Sequence, residues 1–228
     1  MDHNQGRICV PIMARDTDEA IEKMEKAAEF AHLFEIRLDV MESFDLDRVI
    51  RSSPLPVLVT YRSVKEGGKG KADYTIRTHH LLKAMEAGAD FVDVEFTMPL
   101  GFRELIWEHR RKTKLVLSIH LMNRTPSRED LEKTFRKMAA TGADMVKIVT
   151  RARSWEDNWN VLSLIPLAEK TGVNITAFCL GPMGVISRVA CPLMGGSLTF
   201  ASLEQGEESA PGQIPAQEMN RILEILSP

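Results

Sequence analysis

No two cysteines in this sequence stand at a spacing that binds zinc or frames a disulfide. The three present, Cys9, Cys179 and Cys191, are far apart, odd in number and set in apolar or Pro/Gly contexts. Buried free thiols in a reducing compartment are therefore expected, which makes the cytoplasm the default location. Other metal motifs are missing too: there is no H-E-x-x-H and no pair of histidines at ligand spacing, so no metal is expected. A G-x-S-x-G nucleophile elbow is also absent. No apolar run approaches the roughly 20 residues of a membrane span, and Met1 to Gly6 lacks the basic-then-apolar layout of a signal peptide. Long blocks of like charge are missing as well. With 29 basic residues against 32 acidic, a net charge of −3, neither nucleic acid nor an anionic membrane surface is an expected partner.

What the sequence does hold is core-forming material, 44% of it hydrophobic, arranged in a regular alternation. Short apolar runs predict strands at Arg7–Ile12, Leu33–Val40, Pro56–Tyr61, Asp90–Phe96, Lys114–His120, Asp144–Thr150, Asn174–Leu180 and Gly196–Ala201. Between them, helical patterns cover Thr17–Ala31, Asp45–Arg51, Tyr74–Ala87, Gly101–Arg110, Ser127–Ala140, Trp155–Lys170 and Met183–Cys191, with a last one at Pro215–Leu226. Start and stop signals support them, such as the capping box Ser127-Arg-Glu-Asp130 and the glycines Gly88, Gly142 and Gly172. Eight strand–helix units in 228 residues predict a single (β/α)8 TIM barrel spanning residues 1–228, with no internal linker. A doubly wound open sheet is the alternative, but G-x-G-x-x-G is absent after the first strand. The low-complexity stretch Glu204–Gly212 after the eighth strand reads as a mobile loop.

Strand parity carries the functional signal, because residues two apart share a face. Glu35, Arg37 and Asp39 are co-facial on the second strand, Asp93 and Glu95 on the fourth, Ser118 and His120 on the fifth, and Met145, Lys147 and Val149 on the sixth. Single polar groups in an apolar barrel interior would be costly. Gathered at the strands' C-terminal ends, they can satisfy one another and line the mouth where such barrels place their sites.

Lys147 sits in the otherwise apolar run Asp-Met-Val-Lys-Ile-Val-Thr. A snorkelling or carboxylate-paired lysine is one reading; a desolvated amine ready to form an imine with an aldehyde or ketone is the other. His120 closes a buried strand just before it, and a histidine there suits proton transfer near neutral pH. Glu66 lies in Arg62-Ser-Val-Lys-Glu66-Gly-Gly, where glycines permit a turn back toward the mouth. A phosphate loop is rejected there, since Lys65 and Ala72 stand where glycine and Ser/Thr belong. Arg188, in the helical pattern after strand seven, suits a carboxylate or phosphate through a bidentate pair.

In this set of motifs the chain resembles the type I 3-dehydroquinate dehydratases, (β/α)8 enzymes of the shikimate pathway that work through an imine. The resemblance is carried by Glu35-Ile-Arg-Leu-Asp39, Thr60-Tyr-Arg-Ser-Val-Lys-Glu-Gly-Gly68, Asp93-Val-Glu95, Ser118-Ile-His120, Ala143-Asp-Met-Val-Lys147, Gly184-Val-Ile-Ser-Arg188, Gly196-Ser-Leu-Thr-Phe200 and Ala210-Pro-Gly-Gln213. It implies Lys147 as the imine-forming lysine, His120 as the general acid/base and Glu66 as the acid that orients that histidine. It further implies substrate contacts from Glu35, Arg37 and Arg62, a carboxylate clamp at Arg188, and closure by Phe200, Ser209 and Gln213, the last two on a lid loop near 204–213. The substrate would be 3-dehydroquinate, and no cofactor is needed because the lysine supplies the electron sink. A homodimer is also implied. The sequence departs from the family pattern at Leu121, where an aspartate is expected, and at Phe178 and Leu180, where methionines are common. Competing readings are another class I aldolase-type barrel enzyme, and a catalytically silent barrel acting as a binding module.

Overall fold

The computed structural model describes residues 7–227. Residues 1–6, which include His3, and residue 228 lie outside the described part, as do those ends of the expected 1–228 domain. Eight strands are present among the described residues: β1 (Arg7–Ile12), β2 (Leu33–Arg37), β3 (Val57–Thr60), β4 (Phe91–Glu95), β5 (Lys114–Leu121), β6 (Met145–Arg151), β7 (Asn174–Leu180) and β8 (Leu198–Phe200). All pair in parallel in the order β7-β6-β5-β4-β3-β2-β1-β8. The seam between β7 and β8 is bridged by the Ser197 N–H donating to Ile175 O at 2.7 Å, so the sheet forms a nearly closed barrel.

The helices are α1 (Thr17–Ala27), α2 (Leu46–Ser52), α3 (Tyr74–Glu86), α4 (Leu100–His109), α5 (Arg128–Ala139), α6 (Glu156–Leu162), α7 (Leu164–Thr171), α8 (Val185–Leu193) and α9 (Ala216–Leu226). Capping carboxylates and hydroxyls start several of them: Asp16, Asp45, Asp73 and Ser127 each accept a backbone N–H of the first turn. The predicted helix over Trp155–Lys170 is in fact two, α6 and α7, parted at Ser163. Pro166 explains the break: it falls in the first turn of α7, where the missing N–H has no partner to lose. In contrast, α8 runs past the expected stop at Cys191 and includes Pro192. Pro192 cannot donate to the carbonyl four residues back, that of Arg188, and the Thr199 hydroxyl donates to it instead at 2.8 Å. Predicted ends were long elsewhere: β2 stops at Arg37, β8 covers only Leu198–Phe200, and α1 ends at Ala27.

Alternation along the strands sorts the core into two clusters. Ile8, Val10, Phe34, Ile36, Val92, Val94, Val146 and Ile148 point outward and pack under the helices. Cys9, Leu58, Val116, Met145, Val149, Phe178, Leu198 and Phe200 point inward and fill the barrel. The inward set is short because its upper positions are taken by charged side chains.

Candidate active site

Those charged side chains come together as one buried network. Lys147, on β6, is 4% exposed and pairs across the register with Ser118 of β5, which itself pairs with Glu95 of β4. The lysine Nζ lies 3.5 Å from Glu35 Oε1 and 3.8 Å from Asp93 Oδ2, and 3.7 Å from the centroid of the Phe200 ring. Arg62, just past β3, threads between acids: Nη2 is 2.7 Å from Asp93 Oδ2, while Nη1 donates to Ser118 Oγ at 2.9 Å and to Glu95 Oε1 at 3.4 Å. Arg37 is held in a bidentate pair by Asp39, at 2.8 and 2.9 Å. A buried ion pair offsets its desolvation only when further hydrogen bonds satisfy the ions. Thr60 donating to Glu35 and Ser118 donating to Asp93 Oδ1 meet part of that need, while Arg62 Nη2 and Asp93 Oδ2 have each other's charge but no hydrogen bond among the described residues.

Glu66 reaches the mouth because the chain folds back after β3. The 310 turn Val64–Glu66 ends on Gly67 at φ +85, which a Cβ disfavours. At Gly68 a Cβ would strike the backbone carbonyl of Arg62, so the close return of the loop requires glycine. Thus placed, Glu66 accepts the His120 backbone N–H at 3.0 Å and lies 3.1 Å from His120 Nδ1, while Thr97 donates to its other oxygen at 2.6 Å. Burial pushes the Glu66 carboxyl up to about 7, against the opposing pull of Arg62 and with the help of nearby Glu95. Burial likewise holds His120 well below its ordinary value, and the cations Arg62, Lys147, Arg37 and Arg188 act in the same direction. The imidazole is therefore neutral at physiological pH. Nδ1 faces Glu66 Oε2, and in the tautomer whose proton sits on Nδ1 the free base is Nε2. The His120 side chain keeps 11% of its surface exposed, enough to meet a bound molecule.

Glu35, Arg37, Arg62, Glu66, His120, Lys147, Arg188, Phe200, Ser209 and Gln213, all singled out from sequence, line a single cavity of about 510 Å³ including its open mouth. Arg188 enters from α8, 1% exposed, and donates to Phe200 O and Pro211 O. The loop after β8 folds over the mouth, where Gln213 Oε1 gathers the Ser209 and Ala210 N–H groups at 2.7 and 3.2 Å and the Gly181 N–H donates to Pro211 O at 3.0 Å. Of the positions that depart from the family pattern, Phe178 and Leu180 line the cavity; Leu121 does not, and packs against the outer core instead. Sequence reasoning missed Met122, which also lines it, and Thr97, which donates to Glu66. It also missed Arg77 of α3, whose guanidinium pairs with Glu95 from outside the barrel. The signal for Arg77 was present: it shares a helix face with the buried Leu81 and Ala84, a poor place for an unpaired arginine. Among the described residues no cluster of His, Cys, Asp and Glu could hold a metal ion, and no helix is long and apolar enough to cross a membrane.

A buried lysine and a neutral histidine on adjacent strands at the C-terminal mouth of a parallel barrel put the chain in the class of barrel enzymes whose site offers an amine and an imidazole to a carbonyl compound. The type I 3-dehydroquinase family model matches residues 8–228, and the chain belongs to that family. It is 39% identical over 216 residues to the chloroplastic bifunctional 3-dehydroquinate dehydratase/shikimate dehydrogenase of Arabidopsis thaliana, covering 92% of this chain but 35% of that protein. With the 3-dehydroquinate dehydratase of Dehalococcoides mccartyi it shares 35% identity, covering 94% of this chain and 93% of the relative. Among solved structures, the type I 3-dehydroquinate dehydratase of Clostridium difficile with covalently modified comenic acid superposes with a TM-score of 0.86. It is 27% identical, over 98% of this chain and 92% of that one.

Proposed function

We propose that this chain converts 3-dehydroquinate to 3-dehydroshikimate through an imine on Lys147, with His120 as the general acid/base. The observation that carries the reading is the convergence of the Lys147 amine, His120 and the Arg188 guanidinium on one cavity. Lys147 attacks the ring ketone, and Glu35 Oε1 is the nearest acceptor for a proton leaving Nζ. The carbinolamine loses water to give an iminium, which makes the neighbouring C–H acidic. His120 Nε2 removes that proton, and the iminium electrons pass into an enamine. The enamine then expels the β-hydroxyl, protonated by His120 as it leaves, and water hydrolyses the resulting conjugated imine, restoring the amine. The net change is loss of one water.

Glu66 orients His120 and shares its proton balance. Arg62 and Arg37 present donors to the substrate hydroxyls, Glu35 accepts from them, and Arg188 receives the carboxylate. Phe200 forms the floor under the imine, with Ser209 and Gln213 closing above. The test is trapping: incubate with 3-dehydroquinate, add borohydride, and locate the modified peptide by mass spectrometry. An adduct on Lys147 is expected; absence of both adduct and enone product overturns the reading.

We also infer a cytoplasmic homodimer. Three buried free thiols suit a reducing compartment, and Trp155, Trp159 and Ile186 leave an exposed apolar surface for pairing. Sedimentation at micromolar concentration tests the dimer.

A further inference from the structure

Arg188 differs from the other cations of the site in having no anion among the described residues. Arg37 has Asp39, Arg62 has Asp93, and Lys147 has Glu35. The Arg188 guanidinium instead donates to two carbonyl oxygens, of Phe200 at 3.4 Å and Pro211 at 3.2 Å, while its Nε has no partner. Burial without a counter-charge pulls its pKa down to about 10. A cation in that condition is held in place by other means, and the structure shows two. The first is the backbone: the carbonyl left open by Pro192 is tied down by Thr199. The second is an aromatic face, for Arg188 Cζ lies 4.6 Å from the centroid of the Phe178 ring. Phe178 is 2% exposed and packs against Phe200, centroids 6.1 Å apart, and Phe200 carries Lys147 Nζ at its face. Phe178 thus meets the anion-seeking cation, and only Phe200 meets the reacting amine.

We propose that Phe178 is a positioning residue whose ring holds the Arg188 guanidinium as the seat for the substrate carboxylate, and so selects ketones that carry one. This rests on the reading above that Arg188 receives that carboxylate. A carboxylate in place of the ring would stabilise the cation but occupy its donors and compete with the substrate. A ring face attracts a guanidinium through its quadrupole while leaving the N–H groups free in its plane. The specificity follows from the same balance: a substrate without the carboxylate leaves Arg188 as it was, and gains nothing from its alignment.

The experiment compares Phe178→Leu and Phe178→Tyr with the unaltered protein on two ketones, 3-dehydroquinate and its carboxamide analogue. Circular dichroism first verifies folding, with Phe178→Met as the substitute if the leucine variant fails to fold. For Phe178→Leu, KM for 3-dehydroquinate rises about 3- to 30-fold, the factor that matches a desolvated cation–π contact. Its kcat stays within about threefold, since the contact serves ground state and transition state alike. The carboxamide analogue shows no change in kcat/KM, and Phe178→Tyr, which keeps the ring, restores KM. Equal losses on both ketones would reduce Phe178 to core packing, and an unchanged KM would remove it from the site; either result overturns the proposal. Failure of the unaltered protein to form a borohydride-trapped adduct on Lys147 would instead overturn the reading on which the proposal rests.

Discussion

Replacing Glu66 by glutamine should change how stability depends on pH, by an amount the structure sets. A free glutamate titrates near 4.5, whereas buried Glu66 titrates near 7. Between these values the native state holds a proton that the unfolded chain has lost. Stability contributed by this group is therefore complete below about pH 4.5 and disappears as pH rises through 7. A displacement from 4.5 to about 7 corresponds to roughly 3 kcal/mol, an upper bound because Glu66 is coupled to His120 and Arg62. Glutamine keeps a carbonyl oxygen for the His120 N–H groups and carries no titration. Relative to wild type, Glu66→Gln should therefore gain up to ~3 kcal/mol between pH 5 and pH 8, whatever its offset at pH 5. In a chain of this size that is about 6–12 °C in the difference of midpoints. Calorimetry in a pH series on both proteins measures it. Parallel curves across this interval would refute the claim that burial raises Glu66. A difference growing toward low pH would refute the sign.

Lys147→Ala should abolish the borohydride-trapped adduct, while His120→Ala should still form it yet turn over roughly 10²–10⁴-fold more slowly, as stopped trapping and steady-state rates would show. Near-normal turnover in the histidine variant would remove it from proton transfer. Arg62→Met leaves Asp93 and Glu95 short of their central cation, and denaturant unfolding should show a loss of about 3–5 kcal/mol. Gly68→Ala drives a Cβ into the Arg62 carbonyl, so it should displace Glu66 and lower kcat, measured as turnover in a variant whose fold is verified by circular dichroism. Gly212→Ala meets both a positive φ of +82 and the Gly181 carbonyl at 2.6 Å, so it should loosen the loop over the mouth and raise KM more than it lowers kcat.

The amino-acid sequence by itself determined the barrel, and with the family resemblance it named ten residues that line the cavity, though not Met122. Period-two runs alternating with period-3.6 runs leave few architectures, and strand parity puts Asp93 with Glu95, Ser118 with His120, and Met145 with Lys147 on shared faces. It also showed that Gly67 and Gly68 allow a reversal at Glu66. It could not show where elements end, because pairing and packing decide that: Ser163 parts a helix that periodicity reads as one, and α8 crosses Pro192 because Thr199, from another strand, supplies the missing donor.

Pairings between distant strands were decided only by the tertiary structure. Arg77 reaches Glu95 through the wall of the barrel, and Thr97 finds Glu66 from the end of β4. The upward shift of Glu66 and the downward shift of His120 are also products of the closed barrel, since each depends on burial and on charges contributed by other strands. Phe178 is the clearest case. In sequence it is a phenylalanine where the family often has methionine; in the fold it is the ring under an arginine with no anion, a relation between β7 and α8 that no local pattern encodes.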